Sequence, residues 1–134
     1  MSDHQTGGIR PDGASALKGK TGLARVMDAF YFSLAGLRAA YRDEAAFRQE
    51  VLLAALLIPL ACVMPVGGVG KALMIASVLL ALMVELLNSA VEALSDRISP
   101  ETHELIKKAK DIGSAAVFVA LINVPVTWLL VLFG

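Results

Sequence analysis

Three apolar runs dominate the second half of the chain, at residues 51–66, 72–94 and 112–133, with short polar segments between them. The second run has 23 residues, which as a helix reach about 34 Å at ~1.5 Å per residue, enough to cross a hydrocarbon core of about 30 Å. The third has 22 and is equally sufficient. The first has only 16, short of the roughly 20 needed for a full crossing, so it must borrow a turn from the helix before it. Pro59 is a place for a kink. Pro65-Val66-Gly67-Gly68-Val69-Gly70 reads as a tight turn.

Ahead of these runs the period changes. Leu23, Val26, Met27, Phe30, Tyr31, Leu34 and Leu37 recur at helical spacing on one face, while Arg25, Asp28 and Ser33 fall elsewhere on the wheel. Such a segment is too amphipathic to span and suits the headgroup plane. Residues 38–50 mix small side chains with Arg42, Asp43, Glu44, Arg48, Gln49 and Glu50, and predict a helix leading into the bilayer. Residues 1–22 hold five of the eleven glycines among Ser, Thr, Asp, Lys and one Pro, a composition expected of a mobile tail. No basic cluster with an apolar run directly behind it opens the chain, so no signal peptide is expected.

Composition turns this pattern into a class. Of the 134 residues 57% are hydrophobic, against roughly 45–50% in a soluble domain even with glycine counted, and the mean hydropathy is +0.69. The expectation is an all-α membrane protein: an amphipathic surface helix plus three transmembrane helices, forming one membrane-embedded domain over residues 23–134. Three spans enclose little by themselves, which predicts a homo-oligomer. Twelve cations against twelve acids leave no net basic surface for nucleic acid. The lone Cys62 excludes an intramolecular disulfide and a thiolate metal cluster. Seven cations precede the first run, four lie between the second and third, and Lys71 alone falls in the first turn. Eleven against one places the N-terminus and the 95–111 loop in the cytoplasm and the C-terminus outside.

The chemistry concentrates in the second run. On a helix of ~100° per residue, Glu92 falls about −20° from Glu85, Asp96 about +20°, Asn88 near −60° and Ser89 near +40°, so the polar atoms form one stripe. A carboxylate at mid-bilayer costs at least about 2.5–3.5 kcal/mol on insertion scales, and Glu85 is well inside the run. Something must compensate it. A packing network with Asn or Ser across a helix interface would explain a lone Glu, but it accounts poorly for three acids descending to the cytoplasmic mouth. A desolvated Glu85 suits a general base or a proton-coupled carrier. Glu92 and Asp96 can meet an aqueous cation, and oxygen ligands so spaced suit Mg²⁺ bridging to nucleotide phosphates.

Glu44 and Glu50 form a second carboxylate set at about the depth of Glu92. For Glu44 an i,i+4 pair with Arg48 is an equally good explanation. Lys107, Lys108 and Lys110 precede Asp111, and an ordinary positive-inside anchor accounts for at least two of these lysines. Gly13 to Gly19-Lys20-Thr21 has five intervening residues where a phosphate loop needs four, and no strand precedes it. Gly70-Lys71-Ala72 lacks the hydroxyl and the upstream glycine. Neither cradles a phosphate.

Glu85-x-Leu87-Asn88-Ser89-Ala90-Val91-Glu92-x-x-Ser95-Asp96 resembles the signature of the prokaryotic diacylglycerol kinases, small three-span inner-membrane enzymes. Thr21-Gly22-x-x-Arg25 agrees, as does Gly36-Leu37-Arg38-Ala39-Ala40 followed by Glu44-Ala45-Ala46-Phe47-Arg48-Gln49-Glu50. So does His103-Glu104-Leu105 with Ala109-Lys110-Asp111-Ile112-Gly113-Ser114-Ala115-Ala116. The resemblance covers residue 21 to the C-terminus. It implies a homotrimer that transfers the γ-phosphoryl of MgATP to a lipid hydroxyl and yields phosphatidic acid at the cytoplasmic membrane. Carried over by position, Glu85 would be the base, and Glu44 and Glu92 would hold Mg²⁺ and ATP, with Asn88 and Asp96 in support. Arg25, His103, Lys110 and Asp111 would meet the nucleotide. Arg25, Glu85 and Ser114 would meet the lipid. Positioning and charge neutralisation supply most of the catalysis in phosphoryl transfer.

The chain departs from the family pattern at three places. Phe32-Ser33 stands where Tyr-Ser is common, Thr102 where an aromatic precedes the histidine, and Ser95 where the residue is usually aliphatic. Undecaprenol kinases of the same superfamily share the acidic stripe and are the alternative for the acceptor, which the match over residues 38–50 disfavours. A small proton-coupled transporter would also place one Glu in mid-membrane, but it normally needs four spans and has no use for Glu92, Asp96, Lys110 and Asp111 at the mouth. A non-catalytic membrane scaffold would leave all these acids dispensable.

Overall fold

The computed structural model describes residues 21–98 and 103–134, and among these the regular structure is four α-helices with no strand. They are α1 (Gly22–Asp43), α2 (Ala45–Val63), α3 (Gly68–Ile98) and α4 (Glu104–Phe133). Helices α2, α3 and α4 are each long and apolar enough to cross a membrane. The chain is thus an all-α membrane protein. Helix α1 crosses the boundary between two compact units, Met1–Ala39 and Ala40–Gly134.

In the first unit the apolar face of α1 meets no core: Leu23 is 75% exposed, Phe30 61% and Leu37 44%. An amphipathic helix with that much exposed apolar surface is suited to the headgroup boundary. Of the expected tail, residues 1–20 lie outside the described residues, whereas Gly22 already opens α1. It does so at φ +44°, a left-handed conformation that only glycine adopts without strain.

The continuous helix expected over 38–50 is interrupted. Glu44 is extended (φ −113°, ψ 108°) and forms the N-cap of α2. Arg48 holds this joint: its Nη1 donates to the carbonyls of Tyr41 and Arg42, both at 2.8 Å. Those carbonyls belong to the last turn of α1, which lacks helical partners. The Glu44–Arg48 pair offered by spacing is replaced by this cap.

The first span does borrow residues from the segment ahead of it, starting at Ala45, but it ends at Val63 rather than 66. The turn is correspondingly shorter than its glycines suggest, because Gly68, Val69 and Gly70 are already helical. Gly70 is needed there for close approach, since a Cβ would stand 2.9 Å from Val131 Cγ1. The polar segment expected as a loop over 95–111 is also mostly helix. Helix α3 continues through Ile98 and α4 begins at Glu104. Polar residues end an apolar run without ending the helix, because intrahelical bonds are satisfied equally in lipid and in water. The 31 residues of α3 reach about 46 Å at ~1.5 Å each, so it outruns the hydrocarbon core.

In the second unit α3 packs against both α2 and α4. Ala54 and Ala61 of α2, Met74 and Val78 of α3 and Trp128 of α4 form the buried core. Small residues let the backbones approach, which matters where no hydrophobic effect drives helices together. Trp128 Nε1 donates to the Met74 carbonyl at 3.2 Å, and Ser77 Oγ donates to the same oxygen at 2.7 Å. Trp128→Phe keeps the ring volume largely in place and removes this donor. It is expected to lower unfolding stability in detergent micelles by about 0.5–1.5 kcal/mol, read as a shifted denaturant midpoint.

Candidate active site

Helix α3 carries the acidic stripe, and the packing of α2 and α4 on α3 decides which side of it is hidden. Glu85 is 4% exposed, Asn88 8% and Ser95 6%, so the mid-membrane carboxyl faces protein and not acyl chains. Asn88 Nδ2 donates to Glu92 Oε1 at 3.2 Å, one helical turn below. Glu92 and Glu44 each lie within electrostatic reach of Glu85, and so does Glu50. The joint at Glu44 explains how a residue outside the spans joins the group. As the N-cap of α2 its side chain makes no cap bond, leaving the carboxylate uncommitted.

At the joint Asp43 takes two hydrogen bonds from Arg42, at 2.8 and 3.0 Å. The Arg42 hydrogen bond holds the Asp43 carboxyl below the usual carboxylate range. Asp43 is therefore committed to its neighbour, whereas Glu44 is not.

At the far end of the stripe, Lys110 Nζ donates to Asp96 Oδ1 at 2.7 Å, tying α4 to α3. Lys107 Nζ donates to Asp111 Oδ2 at 2.6 Å within α4. His103 is the N-cap of α4, its Nδ1 accepting from Leu105 N at 3.2 Å. An accepting Nδ1 leaves the ring proton on Nε2. Ser114 is exposed on α4, and in the first unit Arg25 is exposed on α1. Of the sequence departures, Phe32 is 48% exposed and Ser95 is buried, while Thr102 lies outside the described residues.

The residues thus brought together are Glu44, Glu85, Asn88 and Glu92, with the Asp96–Lys110 pair at the mouth. Among the described residues three buried side-chain polar atoms have no hydrogen-bond partner: Glu50 Oε2, Asn88 Oδ1 and Ser89 Oγ. Among the described residues no group of three or more His, Cys, Asp or Glu side chains is placed to cage a metal ion. Mg²⁺ needs no such cage, because it keeps several waters and is usually bound by one or two carboxylates plus substrate phosphates. Glu44 and Glu92 would supply that donor set, hard oxygen only, and Asn88 bonds to Glu92. The residues fit the ion.

Two features escaped sequence reasoning. Gly113 packs so closely on Asn88 that a Cβ there would collide with Asn88 Oδ1. The signal was the run of small residues at 113–116, which marks close helix packing. Glu50 lines a small apolar cavity with Leu53, Leu57, Val78 and Ala81, which spacing alone did not reveal.

Comparison with known proteins gives a consistent result. The family model described as "Prokaryotic diacylglycerol kinase" matches residues 31–132. A diacylglycerol kinase of Pseudomonas aeruginosa is 58% identical over 120 residues, covering 90% of this chain and 98% of its own length. That of Escherichia coli (strain K12) is 48% identical over 114 residues, 85% of this chain and 93% of the relative. That of Haemophilus influenzae is 49% identical over 113 residues, 84% and 96%.

Proposed function

This chain belongs to the prokaryotic diacylglycerol kinase family and is a lipid kinase, and on that premise we propose that it phosphorylates diacylglycerol with MgATP at the cytoplasmic face of the inner membrane. The observation that carries the reading is the placement of Glu85: buried, and within electrostatic reach of both Glu92 and Glu44.

In this mechanism the free lipid hydroxyl reaches Glu85 from the bilayer. Glu85 takes the hydroxyl proton, the lipid oxygen forms a bond to the γ-phosphorus, and the bond from that phosphorus to the β,γ-bridging oxygen breaks. ADP carries away the bridging electron pair, and Glu85 returns its proton to solvent through the mouth of the stripe. Glu44 and Glu92 would hold the metal, which would neutralise charge spread over the transferring phosphoryl. Asn88 fixes the Glu92 carboxylate. Lys110 exchanges Asp96 for a nucleotide phosphate, and Asp111 and His103 Nε2 complete the nucleotide contacts. Ser114 flanks the lipid.

Assembly as a homotrimer is part of the same reading, and the exposure of the spans in a single copy supports it. Within the most apolar window of each span only 17%, 28% and 11% of residues are buried, too little to enclose a lipid headgroup and a nucleotide. The cation count puts the N-terminus and the α3–α4 connection in the cytoplasm and the C-terminus outside.

The deciding experiment offers purified protein labelled ATP with diacylglycerol and, separately, undecaprenol. Label in phosphatidic acid is expected; label in undecaprenyl phosphate alone would reassign the acceptor, and label in neither would remove the reading. Glu85→Gln is expected to lower turnover by about 10²-fold or more with folding and assembly intact. Retention of about a tenth of the rate, less than general-base catalysis supplies, would count against Glu85 as the base. Glu92→Gln is expected to raise the Mg²⁺ concentration needed for half-maximal rate by about 10-fold or more, and an unchanged titration would take Glu92 out of the metal site.

A further inference from the structure

Asn88 makes two demands that a single residue of α4 meets. Its carboxamide has a donor end and an acceptor end, and the donor end is fixed, because Nδ2 bonds to Glu92 Oε1 and a carboxylate only accepts. The acceptor end is thereby turned toward α4, where Oδ1 is buried and has no hydrogen-bond partner. The residue facing it is Gly113. A Cβ at that position would overlap Oδ1, and the amide carbon would be 3.4 Å away. The hydrogen that takes the place of Cβ points at Oδ1 instead, and such Cα–H···O contacts recur where helices touch.

We propose that Gly113 is a positioning residue for the kinase site, the missing side chain on α4 leaving the slot that seats the Asn88 carboxamide and through it aims the Glu92 carboxylate. The inference rests on Glu92 holding the metal. The steric balance makes it specific. The atom in the way is the far end of a side chain, whose terminal torsion is soft, and not the α3 backbone. A methyl group at 113 is therefore accommodated by swinging the carboxamide aside, which breaks the bond to Glu92 and leaves the helix pair standing. Gly113 elsewhere in a span would only let backbones approach; here it also decides where a metal-binding oxygen sits.

The test measures Mn²⁺ binding by the loss of the free-ion paramagnetic resonance signal, in micelles containing a non-hydrolysable ATP analogue. The proteins are wild type, Gly113→Ala, Asn88→Ala, the Gly113→Ala/Asn88→Ala pair and Glu92→Gln. Gly113→Ala is expected to weaken Mn²⁺ binding about tenfold or more, the usual cost of losing a partner that orients a ligand. It is expected to add nothing once Asn88→Ala has emptied the slot. A loss of the same size with and without Asn88 would overturn the proposal, leaving Gly113 as a packing residue only. Normal binding by Gly113→Ala beside weakened binding by Glu92→Gln would overturn it while sparing the assignment of Glu92. Unchanged binding by Glu92→Gln would overturn both. If Gly113→Ala does not fold, the pair decides. A folded pair that binds Mn²⁺ as Asn88→Ala does supports the slot, and a pair that also fails to fold refutes it.

Discussion

A carboxyl group in the middle of a membrane has to be hidden from lipid and answered by something polar, and this requirement shapes the rest of the molecule. Glu85 is buried on α3, so α3 must be the central helix, and it is the one that packs on both α2 and α4. The small residues on the contact faces follow from the same need. Without a hydrophobic drive between helices in lipid, close backbone approach is what holds them, and close approach is what buries Glu85. Trp128 and Ser77 converging on the Met74 carbonyl secure the opposite half of the bundle, away from the stripe. That half can be rigid and apolar because the polar chemistry is confined to the inner half.

Much of this was legible in the sequence. A period of 3.6 over Glu85, Asn88, Glu92 and Asp96 put one polar face on one helix, and helix geometry transfers to the structure without tertiary information. The three spans were legible for a related reason: the bilayer imposes a length, and apolar runs report it directly. The ends of the helices were not. Polarity marks where the hydrocarbon stops, but a helix satisfies its own backbone on either side of that line, so Ser95 to Ile98 and the turns after Glu104 stay helical. Glu44 is the converse case, a break inside a polar, helix-favouring stretch. Its cause is Arg48 reaching back to the carbonyls of Tyr41 and Arg42, a contact six and seven residues away that no local propensity encodes. Spacing suggested a Glu44–Arg48 pair because i,i+4 partners are the default on an unbroken helix. Once the helix breaks, Arg48 finds better acceptors and Glu44 is released to the acidic group.

The candidate site was legible as a set of acids and not as an arrangement. The cavity beside Glu50 and the contact of Gly113 with Asn88 became visible only when α2 and α4 were placed on α3, since each depends on a neighbour in another helix. Gly113 in particular contributes by what it lacks, which composition cannot signal beyond the presence of small residues nearby.

The ion pairs at the Asp96 end of the stripe are of a different kind from the contacts deeper in it. Lys110–Asp96 and Lys107–Asp111 are exposed pairs, with side-chain exposures of 41% and 70% in the first and 65% for both partners in the second. Exposed pairs contribute little net stability, because solvent screens them and ordering two long side chains costs entropy. They nevertheless keep each lysine beside an anion and each acid beside a cation. On the proposed reading a nucleotide arriving there would replace one anion with another, and the exchange would give up almost nothing. Deeper in the stripe the opposite holds: Asn88 and Glu92 are partly buried, their geometry is set by packing, and little can rearrange. Loose charges outside and fixed ones inside are what the proposed reaction would need: easy nucleotide exchange and a defined place for the transferring phosphoryl.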